Sequence, residues 1–232
     1  MFTGTWLLDV INEVPPNVIL HGLDIEPRLF PVEDDRVVSR GNVIFTTGTI
    51  TELPQEWSNS FTLINQRLLV AALQLSQWKR AFAEMFRVLA PGGWVQIGEV
   101  GPWTAGSVTA THKSLVEALF ETKGLHLDCL KFIAELLREA GFIAIYEEER
   151  SIPLGKWGGQ DGIDSRDNFI GVFRGMKTPI LNAGGLGFVQ TEGEFDSLLD
   201  AVEQEWDETS GAEIKFSIIY ATKPIPVPMA SL

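Results

Sequence analysis

Trp6, Leu7, Val10, Ile11 and Val14 recur at the spacing of one helix face, and Pro15-Pro16 forbids continuation, so residues 6–14 are predicted to form a short helix. Residues 18–20 followed by His21-Gly22-Leu23-Asp24 are a β-rich run closing on an acid, the pattern of a buried parallel strand. Residues 42–47 predict a second strand and 61–64 a third. Residues 68–89 read as helical with a break near Ser76, where the hydroxyl would cap a second helix opening at Gln77. Ala90-Pro91-Gly92-Gly93 then makes a turn.

Residues 94–97 predict a strand, and Leu115, Val116, Leu119 and Phe120 place a helix over 111–123. Asp128 would cap a helix over 129–140, with Gly141 just past its end, and 142–146 return to strand. Over 213–221, Ile214, Phe216 and Ile218 alternate with Glu213, Lys215 and Ser217, the period of a half-exposed strand, expected to run antiparallel. Residues 151–211 form the widest irregular stretch, with joints at Gly158-Gly159 and Gly184-Gly185 and helices predicted around 168–176 and 194–206. This segment is expected to cap the sheet ends within a single domain spanning 1–232. Strands alternating with helices predict an α/β fold, a mostly parallel sheet with helices on both faces and ligands beyond the carboxyl ends of its strands. The proline-spaced tail from Pro224 is expected to be extended.

The chain has 232 residues, enough for one domain of ordinary size. Thirty-one acidic against 18 basic residues give a net charge of −13, so a nucleic-acid backbone would be repelled. The single cysteine, Cys129, excludes internal disulfides and thiolate zinc sites, and no acidic run has metal-ligand spacing, so no metal is expected. The runs Asp34-Asp35 and Glu147-Glu148-Glu149 read as solvated surface. Apolar runs such as 68–73 fall far short of the ~20 residues of a membrane helix, and a cytoplasmic location without membrane contact is expected.

Two features carry candidate chemistry. Asp24 closes its strand, where a carboxylate can accept both hydroxyl protons of a ribose or, alternatively, cap the following turn. Thr3-Gly4-Thr5 precedes the first helix, whose start either holds an anion through its backbone donors or is simply a helix start.

Taken in order, several segments resemble the class I S-adenosylmethionine-dependent methyltransferases, in particular a fungal group associated with secondary metabolism. Thr3-Gly4-Thr5-Trp6-Leu7-Leu8-Asp9-Val10 is similar to the end of that family's glycine-rich loop, and His21-Gly22-Leu23-Asp24-Ile25 to its second strand. Leu63-Ile64-Asn65-Gln66-Arg67-Leu68-Leu69 resembles the fourth strand, and Phe86-Arg87-Val88-Leu89-Ala90-Pro91-Gly92-Gly93-Trp94-Val95-Gln96-Ile97 the helix, turn and fifth strand. The resemblance implies a Rossmann-like sheet binding S-adenosylmethionine, with Gly4 at the methionyl carboxylate, Asp24 at the ribose, Ile25 and Ile50 about the adenine, and Gln66 near the methionyl end.

The chain also departs from that pattern. Only Gly4 matches the loop's three glycines, and Phe2 stands at the middle one. Thr49 stands where an acid would accept the adenine amino group, and a hydroxyl is the weaker acceptor. The matching segments open on the loop, so a sheet without the family's first strand, which is central and flanked by the second and fourth, is expected. Three explanations stay open: a shortened chain, strand exchange between subunits, or a fold that has abandoned the cofactor. A homodimer through exposed sheet edges is one expectation.

The implied reaction is methyl transfer to a small aromatic or apolar secondary metabolite, accelerated mainly by alignment. If the acceptor must lose a proton, His112 is the first candidate base and Glu99 the second, the alternatives being a packed histidine and a turn acceptor. Trp103, Trp157, Phe169, Phe173 and Met176 would roof an apolar acceptor or else form ordinary core. A cyclase or isomerase using the same pocket, and a non-catalytic binding partner, are the alternative functions.

Overall fold

The structure is a computed structural model that describes residues 4–226, and it divides into two compact units, Met1–Ser58 and Asn59–Leu232. Phe2, Thr3 and the tail beyond residue 226 lie outside the described residues.

In the first unit, helix α1 (Thr5–Val10) stops short of the predicted 6–14. The carbonyls beyond its end turn to a side chain instead: the Arg40 guanidinium donates to the backbone oxygens of Ile11 (2.5 Å), Pro15 (2.6 Å) and Val18 (3.1 Å). Strand β1 (Leu20–Asp24) pairs parallel with β2 (Val43–Thr47), from Leu20 opposite Val43 to Asp24 opposite Thr47. Between them runs α2 (Asp35–Arg40), closed by Gly41 in the left-handed region at φ 72°. Asp34 is more than solvated surface, because its carboxylate accepts from the Arg36 N–H at 2.9 Å and so caps α2. Leu7, Ile11 and Val37 form a small core, packed against Leu20, Val43 and Phe45.

The second unit is built on β3 (Phe61–Arg67), α3 (Leu75–Val88), β4 (Leu89–Thr104), α4 (Ser107–Thr122), α5 (Leu130–Glu139) and β5 (Ile143–Pro153). These are followed by α6 (Gly159–Arg174), α7 (Lys177–Asn182), α8 (Glu192–Glu208) and β6 (Glu213–Thr222). The sheet order is β3-β4-β6-β5, with β3 and β4 parallel and β6 antiparallel to both neighbours. Because β6 lies inside the sheet, Ser217 is buried along with Ile214, Phe216 and Ile219, and the strand is not the half-exposed one its alternation suggested. The turn 90–93 is looped out of the ladder, whose pairs jump from Phe61–Leu89 to Leu63–Trp94.

Two helix starts differ from expectation. Residues 68–74 are not helical: Leu68 sits at φ 59°, and α3 opens at Leu75, where the Gln77 side chain accepts from the Gln74 N–H at 2.8 Å; Ser76 is not its cap. Asp128 pairs with Lys131 and gives α5 no side-chain cap. The stretch 151–211 is more regular than its composition implied, since β5 runs on to Pro153 and three helices follow. Trp78, Phe82 and Met85 of α3, Leu115 of α4, Ile133 and Leu137 of α5, and Phe195, Leu199 and Trp206 of α8 are buried in this unit. Among the described residues, the strands are the six named. No helix among them is long and apolar enough to cross a membrane, and no group of three metal-ligating side chains is found.

Candidate active site

In the first unit the sequence-predicted residues gather at the carboxyl ends of β1 and β2. The Asp24 carboxylate accepts from the Glu26 N–H at 2.9 Å, so it shapes the turn that carries Ile25 outward, where Ile25 is 73% exposed. Beside β2, the Thr49 hydroxyl is engaged locally, 2.8 Å from the Thr51 hydroxyl and accepting from the Thr51 N–H at 3.3 Å, and Ile50 is half-buried. An open cavity of about 360 Å³ lies here, lined by Leu23, Thr46, Thr47, Gly48, Glu52 and Leu53 among others. Glu52 is a charged lining residue that no motif pointed to. Gly4 precedes α1 at φ 94°, and a Cβ there would come within 2.8 Å of the Pro31 ring, so both conformation and space require glycine.

In the second unit, parallel pairing sets the end of β3 beside the middle of β4, and so brings Gln66 close to Glu99. Glu99 is fully buried. Its Oε1 accepts from Gln66 Nε2 at 2.6 Å and from the Leu69 N–H at 2.7 Å, and its Oε2 from the Val70 N–H at 3.2 Å. Burial pushes the carboxyl up to about 7, against the opposing pull of these donors and of the Arg67 charge. The turn-acceptor reading of Glu99 is therefore realised in atoms. Gln66 Oε1 and the hydroxyl of Ser217, opposite Glu99 on β6, are buried and have no partner among the described residues.

His112 is also buried, 1% exposed on α4. Its ring lies 4.5 Å from Phe173 and 5.9 Å from Trp103, while Trp103 lies 5.2 Å from Phe173 (centroid distances). Burial in this aromatic cluster pushes the imidazole down to about 4, so it is neutral near pH 7. Its Nδ1 and the Trp103 indole N–H have no partner among the described residues. Phe169 borders the cluster, 6.5 Å from Phe173, and Met176 is half-buried where α6 meets α7. Trp157 is engaged elsewhere, donating its indole N–H to the Ala212 carbonyl at 2.9 Å. Trp206, which sequence reasoning passed over, stands edge-on to Phe173 at 6.4 Å and donates to the Thr109 hydroxyl at 2.9 Å. A separate open groove of about 620 Å³ runs past Thr111, Phe188, Val189 and Thr191.

A family model described as a methyltransferase domain matches residues 2–93. The N-methyltransferase verN of Clonostachys rogersoniana is 27% identical, over 95% of this chain and 76% of that protein. Among solved structures, phosphoethanolamine N-methyltransferase 2 of Haemonchus contortus, in complex with S-adenosyl-L-methionine, has a TM-score of 0.56 at 17% identity and covers 95% of this chain. This chain spans 46% of that enzyme. The [4+2]-cyclase SpnF has the same fold at a TM-score of 0.56 and 19% identity, over 96% of this chain and 72% of SpnF. The motif order and these similarities agree: residues 2–93 match a methyltransferase domain, and nearly the whole chain is similar to a fungal N-methyltransferase and shares the fold of S-adenosylmethionine-binding methyltransferases.

Proposed function

We propose that the chain transfers the methyl group of S-adenosylmethionine to a nitrogen atom of a small, largely apolar molecule. The observation that carries this reading is the match of 95% of the chain to a fungal N-methyltransferase. The residues of the first unit fit the nucleoside end of the cofactor: Ile25 is an apolar side chain held in the open directly after Asp24. Bound S-adenosylmethionine supplies an electrophilic methyl group.

The chain's own residues then have modest tasks. Asp24 and Ile25 hold the nucleoside by hydrogen bond and apolar contact, with Ile50 as the other adenine contact and Thr49 as its neutral polar neighbour. Gly4 keeps backbone N–H groups accessible at the start of α1. A nitrogen nucleophile brings its own lone pair, so alignment supplies most of the acceleration and a strong base is dispensable. Where a proton must leave, Glu99, pushed to about 7, is matched to neutral pH, while His112, pushed to about 4, is the weaker base. Trp103 and Phe173 are buried against each other and His112 as core, which leaves half-buried Phe169 and Met176 at the border of the cluster to meet an apolar acceptor.

The test is methyl transfer from isotopically labelled S-adenosylmethionine to a panel of aromatic amines and their phenol counterparts. Label in the amines and not in the phenols is expected. Label confined to the phenols would contradict the nitrogen assignment.

A further inference from the structure

We infer that Glu52 determines which base the first unit accepts: its carboxylate takes a hydrogen bond from the 6-amino group of the cofactor's adenine and so selects an aminopurine nucleoside. The inference rests on the cofactor reading above, and it assigns a task to a residue that no motif singled out.

Strand β2 ends at Thr47, and the chain then folds back on itself. The Glu52 N–H donates to the Thr49 carbonyl at 3.2 Å, and the two residues form an antiparallel bridge, which sets Glu52 beside Thr49. The Thr49 hydroxyl is spent inside this turn, on the Thr51 hydroxyl and N–H. Glu52 is exposed, and its carboxylate has no partner among the described residues. It lines the cavity of about 360 Å³, where it is the one charged residue, against apolar walls that include Leu23, Leu53 and Pro54. Gly48, also in the lining, donates its N–H to the Asp24 carbonyl at 2.9 Å, so the cavity adjoins the end of β1 that carries the proposed ribose acceptor.

Apolar walls suit the faces of a flat base, and a few placed polar groups must then match its edge. The amino group of adenine is a donor, and an ionised carboxylate can only accept. A hydrogen bond to a charged acceptor is also about twice as strong as a neutral one, which favours Glu52 over the threonine hydroxyls of the same cavity.

Calorimetry with S-adenosylhomocysteine, and with its analogue carrying hydrogen in place of the 6-amino group, tests the assignment on the parent, Glu52→Ala and Glu52→Gln. The parent should bind the amino form ~10-fold more tightly than the analogue. Glu52→Ala should bind the two alike, with the affinity that the parent has for the analogue. Glu52→Gln keeps an acceptor oxygen without the charge and should retain a smaller preference. Because Glu52 is exposed and its bond to Thr49 uses the backbone, both variants should keep the parent's fold. A parent that binds both ligands equally, or a full preference surviving in Glu52→Ala, overturns the role of Glu52 and leaves the cofactor reading standing. A parent that binds neither ligand overturns the cofactor reading and this inference with it.

Discussion

Glu205, near the end of α8, caps α4 through Thr109: its carboxylate accepts from the Thr109 N–H at 2.7 Å, the Thr109 hydroxyl at 2.6 Å and the Val108 N–H at 3.0 Å. The same hydroxyl accepts from the Trp206 indole, so one threonine joins the start of α4 to two consecutive residues of α8. The carboxylate satisfies donors that a helix start leaves open and meets the positive end of the helix. Glu205→Ala should therefore cost about 1–2 kcal/mol, read as a lower denaturant midpoint at unchanged slope. An unchanged midpoint would show that the first turn of α4 finds other partners.

His112 predicts an acid-side loss of stability. Its imidazole is pushed from 6.5 down to about 4, so the unfolded chain binds the proton more tightly than the folded one. The stabilisation is present above pH 6.5 and is lost as pH falls through 4, an effect of about 3 kcal/mol for this residue. Denaturant titrations at pH 4.5 and 7 should show His112→Phe less acid-sensitive than the parent. Parallel pH profiles would contradict burial of a neutral ring.

Glu99 predicts the opposite slope over a similar window. Its carboxyl is pushed from 4.5 up to about 7, so the folded chain holds the proton more tightly, and this contribution is full below pH 4.5 and fades as pH rises through 7. The parent should lose about 3 kcal/mol relative to Glu99→Gln between those limits. A stability difference independent of pH would show that Glu99 is ionised throughout.

Asp24 accepts from the Glu26 N–H and, in the proposed cofactor site, would also accept from the ribose, and substitutions separate the two. Asp24→Asn retains an oxygen able to accept from the Glu26 N–H, whereas Asp24→Ala loses the turn and the ribose acceptor together. Calorimetry with S-adenosylhomocysteine should find partial binding in the first and little heat in the second. Parent-like heat from Asp24→Ala would place the ribose elsewhere.

Much of the sheet was readable because strand pattern and turn chemistry are local. The runs that became β1, β2 and β6 stood out by composition and alternation, and the motif order pointed to Asp24 and Gln66. The missed features depend on distant partners. The strand β4 runs far past Ile97 because Gly98 leaves room for the Phe216 ring and Gly101 for Lys215, contacts supplied by β6. The start of α4 at Ser107 depends on Glu205, 96 positions beyond Thr109. The apolar run 68–73 fits a helix by periodicity, and only the left-handed backbone at Leu68 and the amides it aims at Glu99 reveal a turn. The Gln66–Glu99 pair, the most chemically specific feature of the second unit, spans 33 positions and is invisible until β3 lies beside β4.

Titration of the parent protein with S-adenosylhomocysteine, followed by calorimetry and by its thermal midpoint, tests the central claim most directly. A dissociation constant tighter than about 100 μM with a raised midpoint is the predicted result, since a ligand that prefers the folded state must stabilise it. Absence of both heat and midpoint shift would contradict a cofactor-binding methyltransferase and leave the fold serving another chemistry.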